Sequence, residues 1–173
     1  MPSRYRVAAG WAVGLLVLAL ARPTPLSLLL GLPLALAGEA IRVWASGHIE
    51  KTKWLATGGP YAHSRNPLYV GSLLIALGVA VACASPWVGL AVALYFTAFY
   101  PAVMREEAAF LVKKFPEYGT WAAAVPLFLP RLTPGGPRCS RFEWARVRVN
   151  REWRTAAALP LVAALLAALR LLR

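Results

Sequence analysis

Five long apolar runs divide the chain and restrict the folds open to it. They cover residues 7–21, 26–45, 68–84, 87–103 and 156–169. A helix needs about 17 to 25 apolar residues to cross about 30 Å of hydrocarbon, and 59% of the 173 residues are hydrophobic. The sequence therefore predicts an all-α, polytopic membrane helix bundle with about five transmembrane helices. The last run is short and contains Pro160, so an interfacial or re-entrant helix is the alternative there.

Short turns join the first run to the second and the third to the fourth. Proline, which interrupts helices, stands in both turns, at residues 22–25 and 85–86. Two helical hairpins are therefore expected. We interpret residues 1–173 as a single integral membrane domain with a core at about 51–131. A C-terminal interfacial segment and the last predicted span follow at about 138–173.

Basic residues are concentrated on one set of connections. The chain has 19 Lys and Arg against 7 Asp and Glu, a net charge of +12. Most of these basic residues precede the first run, lie between the second and third, or follow the fourth. The positive-inside rule places these connections and the N-terminus in the cytoplasm. We therefore expect a prokaryotic inner membrane protein with any active site on the cytoplasmic face. Membrane lipids are the expected partners and nucleic acid is not, because the basic residues form no aromatic-laced stripe.

Few residues outside the loops suggest chemistry. Cys83 lies in an apolar run and Cys139 in a polar loop, which indicates neither a disulfide framework nor a metal site. Glu39 and Arg42 share one face of the second run, and a charge inside a span marks function by default. The alternative is that the two residues pair with each other while Arg42 extends to the interface.

The stretch GGPYAHSRNPLYVG, residues 58–71, differs from the apolar runs on either side of it. Its glycines and proline predict a turn, Asn66 is a suitable helix N-cap, and Pro67 suits the first turn of a helix. Those features require only a loop and a helix start. Tyr61, Arg65 and Tyr69 at the same helix N-terminus also suit a ligand with a carboxylate and an aromatic base. A ligand site and a solvated loop remain equal alternatives on this basis.

Two adjacent acids, Glu106 and Glu107, follow the fourth run in an otherwise basic region. Neighbouring helical residues point about 100° apart, so the two cannot act together on one atom. A carboxylate that faces inward suits a cationic ligand such as an ammonium or a sulfonium, whereas a solvated charge run is the alternative. The amphipathic segment at residues 104–118 either continues the fourth span or lies on the headgroups.

Taken together, GPYxxxRNPxYxG and EExxFLxxKFPEYxxWxxxVPxFLP resemble the isoprenylcysteine carboxyl methyltransferase and phospholipid methyltransferase superfamily. The resemblance covers about residues 51–131. The superfamily consists of integral membrane enzymes that use S-adenosyl-L-methionine, and it usually has His where this chain has Asn66. The resemblance implies catalytic positions at Glu106 and the neighbouring Arg105, with no metal. It implies cofactor contacts in the core at Lys53, Trp54, Leu55, Ala56, Tyr61, Arg65, Asn66, Pro67, Leu68, Tyr69 and Glu106.

The resulting hypothesis is S-adenosylmethionine-dependent methyl transfer to a small or lipophilic acceptor at the cytoplasmic membrane face. An isoprenylcysteine-like carboxylate, a lipid amine or another nucleophile would serve as the acceptor, and His48 and His63 are the candidate bases if one is needed. One alternative is an NADPH-dependent membrane reductase related to sterol reductases. The other is a non-catalytic membrane protein with a vestigial motif.

Overall fold

The computed structural model describes residues 10, 14, 17, 19–50, 53–136 and 140–172, and this part of the chain contains α-helices, one 3₁₀ turn and no strand. The prediction of an all-α membrane bundle is confirmed. Most of the first predicted span and Cys139 lie outside the described residues. The helices are α1 (Pro25–Ser46), α2 (Pro67–Ala82), α3 (Pro86–Lys114), α4 (Tyr118–Ala124), α5 (Trp144–Val149) and α6 (Trp153–Leu172), and the 3₁₀ turn is Gly59–Ala62.

Three helices in the described part, α1, α3 and α6, are long and apolar enough to cross a membrane, whereas α2 is shorter at 16 residues. The sequence predicted about five spans. The last predicted span forms a continuous 20-residue helix that includes Pro160, and at 1.5 Å per residue its length is about 30 Å. It is therefore long enough to cross the hydrocarbon layer.

The amphipathic segment after the fourth apolar run continues α3 instead of forming a separate helix. α3 extends without interruption to Lys114 and ends at Phe115, which is extended (φ −123°, ψ 108°). Pro116 follows, and the residue before a proline disfavours the helical conformation. The same helix thus carries the fourth apolar run and both acids, Glu106 and Glu107.

Small residues bring α1 and α2 into direct backbone contact. Gly31 and Gly38 of α1 face Gly78 and Gly71 of α2, and a Cβ added to Gly38 would lie 2.6 Å from the Gly71 carbonyl oxygen. Small residues allow close helix approach where apolar packing alone gives no preference. This contact fixes the end of α1 beside the beginning of α2, at Arg42 and Leu68.

The interpretation that Glu39 and Arg42 pair with each other is wrong. Arg42 Nε instead donates to Glu152 Oε1 at 2.6 Å, and its Nη1 donates to Ser72 Oγ at 2.5 Å. Neither carboxylate oxygen of the buried Glu39 has a hydrogen-bond partner among the described residues. Helical spacing placed the two charges on one face, but it gave no information on Glu152, which the distant turn before α6 supplies.

Candidate functional site

A cavity of about 410 Å³ lies where α1 ends and α2 begins, and we call it the main cavity. Its volume falls within the range of about 300 to 1,000 Å³ that is usual for small-molecule sites. α1, the loop before α2, the start of α2, the end of α3 and α4 all contribute. The lining residues are Arg42, Ile49, Glu50, Trp54, Leu55, Ala56, Tyr61, Arg65, Asn66, Pro67, Leu68, Tyr69, Glu107, Phe110, Leu111, Phe115 and Trp121.

The loop before α2 is held in place by backbone hydrogen bonds to a segment that follows α4. The amide of Arg65 donates to the Pro126 carbonyl at 2.9 Å, and the amide of Arg131 donates to the His63 carbonyl at 3.0 Å. Gly59 adopts φ +56°, and a side chain there would collide with the ring of His48. The second motif of the sequence therefore anchors the first.

Asn66 occupies the N-cap position of α2 and Pro67 the first helical position, as predicted. The side chain of Asn66 nevertheless makes no cap hydrogen bond. Its Nδ2 instead donates to the Leu127 carbonyl at 2.9 Å. Asn66 thus lines the main cavity while its amide holds the segment after α4.

Two buried polar groups of the main cavity lack hydrogen-bond partners among the described residues. They are the hydroxyl of Tyr61 and Nε of Arg65. Arg65 also donates from Nη1 to the Tyr118 hydroxyl at 3.2 Å. Burial, reinforced by the negative charge of Glu107, raises the pKa of Tyr61, so its phenol stays neutral and able to donate. A ligand with acceptor oxygens would satisfy both groups.

Glu107 and Tyr69 form a polar pair in the wall of the main cavity. The Tyr69 hydroxyl donates to Glu107 Oε2 at 3.0 Å, which links the start of α2 to α3. Glu106 does not line the main cavity, and its helical neighbour Glu107 does. The sequence alone left open which of the two acids faces inward, and the family resemblance implied a role for Glu106. Which acid faces the main cavity depends on the rotation of α3, and adjacent positions in a sequence do not reveal that rotation.

Most residues predicted to contact a cofactor line this one cavity: Trp54, Leu55, Ala56, Tyr61, Arg65, Asn66, Pro67, Leu68 and Tyr69. Lys53 and Glu106, the other two predicted cofactor contacts, and Arg105, a predicted catalytic position, do not line it. The predicted roles of all these residues remain predictions. Lys53 is exposed and pairs with Glu50, which does line the cavity. The Lys53 ammonium lowers the pKa of the Glu50 carboxyl.

Several lining residues had no predicted role in the site. Phe110, Leu111, Phe115 and Trp121 belong to the second motif and form an apolar, largely aromatic wall. Arg42 also lines the cavity, although its sequence context indicates only a charge inside a span. Neither His considered as a base lines the main cavity: Nδ1 of His48 contacts the Trp44 carbonyl at 2.9 Å, and Nδ1 of His63 contacts the Arg131 carbonyl at 2.8 Å.

Comparison with known proteins gives a consistent family match. The model of a family described as phospholipid methyltransferase matches residues 26–118, more than half of the chain. The chain is 42% identical over 107 residues to the cobalt-zinc-cadmium resistance protein CzcN of Cupriavidus metallidurans, covering 61% of this chain and 48% of that protein. It is 36% identical over 107 residues to the nickel-cobalt-cadmium resistance protein NccN of Alcaligenes xylosoxydans xylosoxydans, covering 61% and 49%.

The chain therefore spans about half the length of these curated relatives. No solved structure matches it significantly. The residues matched by the family model include α1, α2 and α3, together with the loop that forms one side of the main cavity.

Proposed function

The chain belongs to the phospholipid methyltransferase family, and from this premise we propose that it transfers a methyl group from S-adenosylmethionine bound in the main cavity. The observation that carries the proposal is that both sequence motifs meet around this cavity and leave the Tyr61 hydroxyl and Arg65 Nε without partners. A buried polar group without a partner costs about 1 to 3 kcal/mol. A polar ligand that satisfied these groups would remove that cost.

The chemistry of the lining residues fits this cofactor. Arg65 and Tyr61 suit its carboxylate and hydroxyl oxygens, and the aromatic wall with Trp54 suits its adenine base. Glu107 supplies a negative charge for its cationic groups. When bound, the cofactor supplies an electrophilic methyl group on a positively charged sulfonium.

The residues of the chain would mainly orient the reactants and exclude water, because methyl transfer is an in-line displacement without a required covalent protein intermediate. Leu55, Leu68 and Leu111 provide apolar walls for this purpose. The Tyr69 hydroxyl fixes the Glu107 carboxylate at 3.0 Å. If the acceptor is an amine or a hydroxyl, the Glu107 carboxylate is positioned to take up its proton.

We propose a small or lipophilic acceptor that reaches the site from the membrane. A second cavity of about 340 Å³ supports this proposal, since Arg42 lines both cavities. Tyr95, Phe96 and Tyr100 give the second cavity an aromatic surface, and Ser72 and Thr155 add hydroxyl groups. The charge distribution of the loops supports a bacterial inner membrane location with the main cavity on the cytoplasmic side.

Isothermal titration of the detergent-solubilised, folded protein with S-adenosylhomocysteine tests the proposed cofactor. We expect saturable binding, with no comparable binding of NADPH. Absence of S-adenosylhomocysteine binding would refute the proposal, and tight NADPH binding in its place would favour a membrane reductase. Binding of neither ligand would favour a non-catalytic protein.

The role of Glu107 is tested by comparing two ligands that differ in charge at sulfur. Glu107→Gln should weaken S-adenosylmethionine binding about tenfold, or about 1.4 kcal/mol, because it removes the charge attraction to the sulfonium, which has no hydrogen to donate. The effect on S-adenosylhomocysteine, whose sulfur is neutral, should be smaller. Glu106→Gln should reduce the binding of both ligands less than Glu107→Gln does. Equal losses for both ligands in Glu107→Gln would contradict a contact with the sulfonium.

We further propose that this methyl transfer contributes to resistance to divalent metals, because both curated relatives are named for such resistance. A metal-sensitive bacterial host expressing the chain should grow at higher cobalt, zinc or cadmium concentrations than the empty host. The Glu107→Gln variant, expressed at the same level, should lose this advantage. Equal growth of all three strains would exclude the contribution.

A further inference from the structure

Residues 140–152, which we call the strap, pack on the loop beside the main cavity, although they lie outside the residues matched by the family model. The amide of Glu143 donates to the Gly47 carbonyl at 2.9 Å, and the amide of Gly58 donates to Ser140 Oγ at 3.0 Å. The Phe142 ring packs directly on Gly47, where a Cβ would collide with it. The strap is thus fastened at both ends of the connection from α1 to the 3₁₀ turn.

Arg146 of the strap contacts two residues that line the main cavity. Its guanidinium lies over the Trp54 ring, 4.9 Å from the ring centroid, and its Nε is 3.4 Å from Glu50 Oε2. Arg146 is itself fixed, because its Nη1 donates to the Arg141 carbonyl at 2.6 Å and its Nη2 to Glu143 Oε1 at 2.8 Å. Arg146 is not among the residues that line the cavity.

Asn150 and Glu152 hold two further lining residues. Asn150 Nδ2 donates to the Ser46 carbonyl at 2.9 Å and to the Ile49 carbonyl at 3.0 Å. Glu152, whose side chain is 6% exposed, accepts the hydrogen bond from Arg42 Nε. Ile49 and Arg42 both line the main cavity, and neither Asn150 nor Glu152 does.

We propose that the strap positions the cofactor site, with Arg146, Asn150 and Glu152 acting through the residues they hold rather than by contact with the ligand. A flexible loop loses conformational entropy when a ligand orders it, whereas a loop that is already ordered does not. Pre-organisation of the loop therefore increases affinity. The strap holds Trp54 and Glu50 through Arg146, Ile49 through Asn150, and Arg42 through Glu152. This inference rests on the proposed function, since it takes the main cavity to be the cofactor site.

Arg146→Ala tests the inference, with Arg154→Ala as the matched control. Arg154 also lies over a tryptophan ring, 5.6 Å from the centroid of Trp153, but neither residue lines the main cavity. We expect Arg146→Ala to raise the Kd for S-adenosylhomocysteine about fivefold, the size of one lost cation–π contact of moderate strength. Arg154→Ala should leave the Kd unchanged. Arg146→Lys keeps the charge beside Glu50 but loses the planar contact with Trp54. Its Kd should therefore lie between those of the wild type and Arg146→Ala.

Titration calorimetry well below the melting temperature separates positioning from a purely structural role. A structural role would lower the melting temperature of the ligand-free variant and leave the Kd of the folded protein unchanged. Wild-type binding with an unchanged Kd in both Arg146 variants would overturn the strap inference alone, as would equal losses in Arg146→Ala and Arg154→Ala. Absence of binding to the wild type would overturn the proposed function and, with it, this inference.

Discussion

The two ends of the α1–α2 pair are built from residues of very different size. At the end away from the main cavity, the buried cluster consists of small and aliphatic residues: Ala21, Ala80, Ala82, Cys83, Val88, Val92 and Leu166. At the cavity end, the buried cluster includes Tyr61, Phe115, Tyr118 and Trp121. Small residues let the backbones of α1 and α2 touch at Gly31 and Gly78, whereas the rings of Tyr61, Phe115 and Trp121 line the main cavity. The cavity at the other end, of about 570 Å³, is lined instead by Ala19, Leu20, Arg22, Pro23, Leu169 and Arg170 and has no aromatic wall.

The two ends also differ in whether their buried polar groups have hydrogen-bond partners. At the small-residue end, Ser27 Oγ donates to the Ala82 carbonyl at 2.9 Å, so a buried hydroxyl is satisfied between α1 and α2. At the cavity end, the Tyr61 hydroxyl and Arg65 Nε have no partner among the described residues. One end is complete as a packed helix interface, and the other retains donors for a ligand. We infer that the small-residue end stabilises the fold and that the cavity end is suited to bind the proposed ligand.

Enlarging a residue at the packed end should have the largest effect on stability. A Cβ at Gly78 would lie 2.6 Å from the Gly31 carbonyl oxygen, and backbone cannot move aside as a flexible side chain can. Gly78→Leu should therefore lower the free energy of unfolding by about 3 kcal/mol, the upper part of the usual range for overpacking. Denaturant titration in detergent micelles measures this change.

The matched control is Gly89→Leu in α3. A Cβ at Gly89 meets nothing within 4 Å among the described residues, so the same substitution has room there. It should be neutral or stabilise by up to about 1 kcal/mol, because leucine has the higher helix propensity. Similar losses in both variants would show that the close contact of α1 and α2 is not what stabilises the fold.

The ion pair between Arg42 and Glu152 joins the cavity end to the C-terminal part of the chain. Glu152→Ala leaves the Arg42 guanidinium without its carboxylate and should lower the free energy of unfolding by about 2 kcal/mol. This value is below the usual cost of breaking a buried pair because the Arg42 side chain is 20% exposed. A double-mutant cycle with Arg42→Met and Glu152→Met measures the coupling. Additive losses would contradict a direct interaction.

The length of the apolar runs predicted the fold class, and the proline in the short turn at residues 85–86 predicted a hairpin of α2 and α3. The pairing of α1 with α2 was not predicted. The sequence did not reveal the contact between Gly38 and Gly71, because glycines in an apolar run are equally compatible with a helix that faces lipid. The partner of Arg42 was also beyond prediction. Glu152 is far away in the sequence, and the nearby Glu39 offered a simpler pairing by helical spacing.

The candidate site was predictable to the extent that short motifs collect residues locally. The stretch from Tyr61 to Tyr69 contributes to one cavity because a single turn and a helix start hold it. Whether Glu106 or Glu107 faces that cavity depends on the rotation of α3, which the bundle sets. Nothing in the sequence indicated that Glu50 would line the main cavity, because its position depends on how the loop after α1 folds back.

The smallest expected effect concerns the buried Tyr61 and appears only at alkaline pH. Burial raises the pKa of Tyr61 in the folded protein above the usual value of about 10. The contribution of this raised pKa to the free energy of unfolding is fully present below about pH 10. It is lost as the pH rises toward the pKa of the folded protein, because Tyr61 ionises first in the unfolded chain. The wild type should therefore lose up to about 1.4 kcal/mol more per pH unit above about pH 10 than Tyr61→Phe does. Unfolding titrations of both proteins between about pH 8 and 11 measure the difference. Parallel curves would show that the hydroxyl is hydrated and not buried, and would weaken the contrast between the satisfied and unsatisfied ends.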